Sequence, residues 1–126
     1  MKQLTLAIDF DHTIVDTDDV TCWEKPVILG FREDAEEVLR KLHDDGHIII
    51  IHTCRSAHNL VKAIDWLEDN NVHYDYVNCN AHSMTKQFKH ESRKIFADFY
   101  IDDRNIGGLP SWKDIYNIVN EYANRW

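Results

Sequence analysis

Four glycines, two prolines and three cysteines in 126 residues leave little material for linkers or cross-links. No Pro/Gly-rich tract, internal repeat or low-complexity run divides the chain, so residues 1–126 are expected to form one domain with a real core. Cys22, Cys54 and Cys79 are odd in number and lack CxxC spacing. That fits a reducing compartment better than a disulfide framework. Long apolar runs are missing too. The opening MKQLTLAIDF is too short in apolar length for a signal peptide and carries Asp9, and no segment can span a bilayer. The expectation is a cytoplasmic protein with no membrane partner. Positive charge is scarce: 14 Lys and Arg face 22 Asp and Glu, a net charge of −8. This argues against broad binding to nucleic acid or anionic membrane, while leaving a local basic site open.

What the chain does have is alternation. Residues 4–10 form an apolar, strand-like run, and the polar stretch from Asp16 to Glu24 reads as a loop or short hairpin. "REDAEEVLRKLHDDG" has helical spacing, with Ala35, Val38, Leu39 and Leu42 on one face and Gly46 as a stop. "HIIIIHT" reads as a strand buried on both faces, as in a parallel sheet covered by helices. Ser56 is placed to cap a helix through Leu60, Val61, Ile64 and Leu67. "YDYVN" and "ADFYIDD" read as further strands. Ser111 is placed to cap a last helix bearing Ile115, Ile118, Val119 and Tyr122. The pattern predicts a three-layer α/β/α Rossmann-like domain with a mostly parallel sheet.

Ligands of such sheets bind at the carboxyl ends of the strands. Asp9 and Asp11 follow the first strand, Thr53 follows the isoleucine strand, and Asp102 and Asp103 end the "FYIDD" strand. Two carboxylates at i and i+2 of an extended segment share a face and repel. Their proximity is tolerable when a divalent cation neutralises them or one carboxyl holds a proton. Oxygen-only ligands suit Mg²⁺, which completes its shell with water and substrate phosphate. With the Thr53 hydroxyl and the Lys94 ammonium added, the set is one for phosphoryl transfer.

"DFDHTIV", "IIIIHT", Lys94 and "YIDD", in that order, resemble the four motifs of the haloacid dehalogenase superfamily over nearly the whole chain. The tail "KIFADFYIDDRNIGGLPSW" resembles small, uncharacterised bacterial hydrolases of that superfamily. The resemblance implies a Mg²⁺-dependent phosphatase. Asp9 would attack phosphorus to give an aspartyl-phosphate, and Asp11 would act as general acid and then base. Thr53 and Lys94 would bind the transferring phosphoryl oxygens. Asp9, the backbone carbonyl of Asp11, and Asp103 would hold the metal, with Asp102 orienting Lys94 or a metal-bound water, either member of the acidic pair being open as the direct ligand. His12 stands where the superfamily commonly has glycine. Lys94 is chosen by its spacing to "YIDD", with Lys86 and Lys89 as competitors. Only about 18 residues separate Thr13 from the first helix, a loop or hairpin length rather than a cap domain. The site should then be open to a phosphorylated small molecule or macromolecular end, including nucleic acid, or be completed by a second copy in a homo-oligomer.

Other features have quieter readings. Thr13 and Arg55 are candidate substrate contacts, with a solvated arginine the equal alternative for Arg55. Asp16, Asp18 and Asp19 read as a solvated loop before extra metal ligands. "KQFKHESRK", residues 86–94, is a basic island that reads as exposed surface first and phosphate-steering patch second. Cys79, His82 and His90 fall one ligand short of a zinc site. Trp66, Trp112 and the aromatics near residues 96–100 read as core before stacking platform. Two other functions remain in play: a phospho-accepting receiver-like signalling domain, disfavoured by the order of the motifs, and a catalytically silent binding protein of the same fold.

Overall fold

The computed structural model describes residues 1–18 and 24–125. Asp19 and Cys22, named above, lie outside the described residues. The chain forms β1 (Thr5–Ile8), β2 (Val15–Asp18), β3 (Val27–Phe31), α1 (Ala35–Asp44), β4 (Ile48–Ile51), α2 (Ala57–Asp69), β5 (Tyr76–Val77), α3 (His82–Phe88), β6 (Phe99–Ile101) and α4 (Trp112–Ala123). Four strands make a parallel sheet in the order β5-β4-β1-β6, and β2 pairs antiparallel with β3. Helices flank the sheet in a three-layer, Rossmann-like α/β/α arrangement, with no separate cap domain among the described residues. Among these residues no helix is long and apolar enough to cross a membrane.

The strand order follows from burial. The central strand β1 is buried along its length, and β4, four isoleucines, lies beside it in register Thr5↔Ile48 to Ile8↔Ile51. On the other side Leu6, Ala7 and Ile8 face Phe99, Tyr100 and Ile101. Strands hidden on both faces are mainly apolar, as Leu6–Ile8 and Ile49–Ile51 are here. A central β1 also fixes the geometry of its carboxyl end. Asp9 to Asp11 emerge between the end of β4, where Thr53 lies, and the end of β6, where Asp102 and Asp103 lie.

Helix α1 buries Ala35, Val38, Leu39 and Leu42, the face its spacing indicates. Ser111 caps α4 by accepting from the Asp114 N–H at 3.1 Å. Tyr116 of α4 donates to Asp45 at the end of α1, 2.8 Å away, tying the two helices together.

Several details differ from the sequence reading. β1 ends at Ile8, because the carbonyl of Phe10 turns to accept from Thr13, Ile14 and Val15 and begins a turn. The hairpin has a second strand, Val27–Phe31, that no strict alternation announces. The buried face of α2 runs through Ala63 and Leu67, leaving Val61 exposed, and Ser56 sits at the cap position without a side-chain cap bond. Ile118 of α4 is also exposed. Helix α3 lies in what reads as loop, since its sequence HSMTKQF has no apolar stripe and buries no residue.

Candidate active site

The turn after β1 is built around Thr13. This residue is fully buried, and its hydroxyl lies 2.9 Å from Asp9 Oδ2 and 3.2 Å from Asp103 Oδ1, donating to one at a time. The same oxygen accepts from the Asp103 N–H at 3.0 Å, and the Thr13 carbonyl accepts from Trp112 Nε1 at 2.9 Å. Thr13 thus locks the β1 turn to the end of β6. As a candidate substrate contact it is corrected: a buried hydroxyl engaged with two carboxylates positions them and cannot reach a substrate. His12 takes a left-handed conformation, φ 62°, at the position where glycine would be expected. Its N–H donates to the Val15 carbonyl at 2.7 Å, which closes the turn.

Asp9, Asp102 and Asp103 form the acidic cluster, with one oxygen from each within 4.8 Å of the others. Burial pushes Asp9 up from its ordinary 3.8 to about 8, helped by a carboxyl–carboxyl hydrogen bond with Asp103 and by the charge of Asp102, while the Thr13 hydroxyl opposes the shift. Without a counter-ion, Asp9 therefore prefers to hold a proton near neutral pH. Three converging carboxylates, all oxygen donors, one of them raised by its neighbours, fit a hard divalent cation such as Mg²⁺.

The Asp11 side chain points elsewhere. Its two oxygens accept from Arg55 Nη2 at 2.8 Å and Nε at 2.9 Å, and Oδ1 also accepts from the Thr17 hydroxyl of β2 at 2.6 Å. Arg55 is buried, and its Nη1 donates to the Asn59 carbonyl at 3.0 Å. Neither reading of Arg55 as a substrate contact or a solvated side chain holds in this structure. It is a buried, bidentate partner of Asp11, because a carboxylate hidden at this turn requires a paired cation. The Asp11 side chain is accordingly no member of the acidic cluster, which leaves only its backbone carbonyl as a candidate metal ligand.

Thr53 follows β4 and is held by a residue the sequence reading did not single out. Asn78, at the end of β5, accepts from the Thr53 N–H at 2.9 Å and donates to its carbonyl at 3.0 Å. The Thr53 hydroxyl accepts from the Arg55 N–H at 3.1 Å, leaving its proton for an acceptor in the cavity. A cavity of about 300 Å³ joins these parts, lined by Asp9, Asp11, His12, Thr53, Cys54, Asp102, Asp103 and Arg104.

Lys94 is not among them. It lines a different groove, with Nζ 5.5 Å from the centre of the Tyr100 ring. Its competitors Lys86 and Lys89 lie in α3 and at its carboxyl end. The cation of the cavity is Arg104, next in sequence to the acidic pair, where "IDDR" was the available signal. Spacing to a motif says how far a lysine is along the chain, while the intervening excursion decides where it lands. Asp16 pairs with Arg32 at 3.2 Å on the surface, and neither it nor Asp18 joins the acidic cluster.

No family model matches the chain, and neither does any of the curated proteins compared with it. A solved structure does: a conserved protein from Bacteroides thetaiotaomicron, 31% identical, superposes with a TM-score of 0.79 over 96% of this chain and 93% of that one. The chain belongs to that protein's family. At this coverage and TM-score the two chains share the α/β architecture over nearly their whole length.

Proposed function

We propose that the protein is a Mg²⁺-dependent phosphomonoesterase of the haloacid dehalogenase type, acting through an aspartyl-phosphate on Asp9. The observation that carries this reading is the convergence of Asp9, Asp102 and Asp103 on one cavity that also holds Thr53 and a cationic side chain. When bound, Mg²⁺ would neutralise the cluster, keep Asp9 ionised and draw a phosphate oxygen into the cavity. Asp9, Asp102 and Asp103 would hold it, together with the Asp11 carbonyl.

Asp9 then attacks phosphorus in line with the leaving oxygen, forming a carboxyl–phosphorus bond as the phosphoester P–O bond breaks. Thr53 donates its hydroxyl proton to a phosphoryl oxygen, and Arg104 supplies the positive charge that the sequence assigned to Lys94. Asp11, once it has left Arg55 and taken a proton from solvent, protonates the leaving oxygen and later, as the carboxylate, takes a proton from the water that hydrolyses the intermediate. Both Asp11 oxygens already serve as acceptors, so reaching the leaving group requires rotation away from Arg55. The same rotation breaks the bond that the Thr17 hydroxyl of β2 donates to Asp11. Three cysteines without a disulfide framework favour the cytoplasm as its compartment.

A generic aryl phosphate assayed with and without Mg²⁺ tests the proposal. Hydrolysis is expected only with the metal, and Asp9→Asn is expected to lower kcat by at least about a thousandfold, as loss of a covalent nucleophile does. Activity that survives Asp9→Asn would refute the mechanism. A long-lived acyl-phosphate on Asp9 with little turnover would favour the receiver-like reading instead.

A further inference from the structure

Among the described residues, the exposed large aromatic side chains are Phe88, Phe96 and Tyr100, at 44%, 40% and 37% exposure, and all three line one groove of about 560 Å³. Exposed aromatics scattered singly need no explanation, but their gathering in one concave site does. Lys94, His90, Ser92 and Ala97 complete the lining, and among the described residues no carboxylate lines the groove. In a chain of net charge −8, this is a local inversion of sign. The surrounding island adds Lys86, Lys89 and Arg93.

The groove is preformed. Tyr100 is held by its hydroxyl, which donates to the Ile95 carbonyl at 2.6 Å. The excursion carrying Phe88 and Phe96 is tied down at the buried Asn80, which donates to Glu91 and Ser92 and accepts from the Phe96 N–H at 2.7 Å. Tyr100 belongs to β6 and Asp102 follows that strand, so one strand contributes to both the groove and the acidic cluster.

We infer that this groove binds the base of a mononucleotide, with Phe88, Phe96 and Tyr100 as the stacking surface and Lys94 and His90 attracting the anion. Base–aromatic stacking tolerates any base, and a groove of this volume holds one nucleoside rather than a strand. The acidity of the rest of the surface opposes a long polyanion. The inference rests on the phosphatase reading for the fate of the phosphate, which would lie at Asp9, while the binding itself stands apart from it.

Calorimetric titration of the protein with AMP, ribose 5-phosphate and inorganic phosphate tests the inference. AMP is expected to bind at least about tenfold more tightly than ribose 5-phosphate, the increment typical of a stacked base. Phe96→Ala should abolish the difference, Phe96→Trp should keep it, and affinity for inorganic phosphate should be unchanged in both. Equal affinity of the wild-type protein for AMP and ribose 5-phosphate would overturn the inference. So would an unchanged AMP affinity in a natively folded Phe96→Ala variant, or a 5′-phosphorylated trinucleotide that binds far more tightly than AMP. AMP binding without phosphate release in Mg²⁺ would leave the base site standing and refute the phosphatase reading. Equal hydrolysis of AMP and ribose 5-phosphate, insensitive to Phe96→Ala, would do the reverse.

Discussion

Arg55 and Asp11 form the most consequential pair at the scale of single residues. Both side chains are buried and joined by two charge-assisted bonds, at 2.8 and 2.9 Å. Removing one member leaves the other as an uncompensated charge in the interior. Arg55→Ala is therefore expected to lower unfolding free energy by roughly 3–5 kcal/mol, read from urea denaturation. An Arg55→Ala/Asp11→Leu double variant should recover part of that loss, since it removes the orphaned charge. Asp9 behaves oppositely. Its folded-state value of about 8 lies above its ordinary 3.8, so between these the folded protein holds a proton that the unfolded chain releases. The stability linked to that proton is complete below about pH 4 and lost as pH rises through about 8. Metal-free protein should show a melting temperature falling over this window, and Asp9→Asn should flatten that part of the profile.

Elements carry the next layer. Helix α4 begins at a true side-chain cap, Ser111 accepting from the Asp114 N–H, and its first residue, Trp112, donates its indole N–H to the Thr13 carbonyl. Ser111→Ala should destabilise the protein by about 1 kcal/mol, measured by denaturant titration. Helix α2 contrasts with it: Ser56 occupies the cap position without making the bond, so Ser56→Ala is expected to have a smaller effect. The faces of α1 and the ends of the central strands were legible in the sequence, because apolar periodicity and burial on two faces leave local signatures. The face of α2 was legible at Ile64 and Leu67, but not at Val61, which is exposed. The buried stripe depends on which side of the helix the sheet and hairpin cover, and Ala63 is a quieter marker than Val61. Helix α3 was illegible for a related reason, since it has no buried face to impose a period.

The molecule as a whole is a sheet whose strand order gathers three separate loops at one edge. Because β1 is central, the loop after it lies between those after β4 and β6, and any ligand of the three is a ligand of the folded state alone. Magnesium binding should therefore raise global stability by mass action, by about 2.7 kcal/mol at a hundredfold excess over Kd. Since Asp9 is raised to about 8, binding should also release a proton near neutral pH and tighten as pH rises. Calorimetry in buffers of different ionisation enthalpy reads that proton directly. No gain in melting temperature with Mg²⁺ would count against the acidic cluster as a metal centre.

The sequence alone determined the α/β alternation, the buried identity of β1 and β4, and the carboxylates at the strand ends. These follow from local physics: periodicity, burial on both faces, and the cost of clustering like charges. Tertiary structure decided what the side chains do once there. It turned Thr13 inward to Asp9 and Asp103, paired Arg55 with Asp11, set Asn78 against Thr53, and carried Lys94 away to the aromatic groove while placing Arg104 at the cavity. The reason is that a residue type and a spacing specify what a group can bind, while the partners it meets are set by chain segments distant in sequence and brought together by packing.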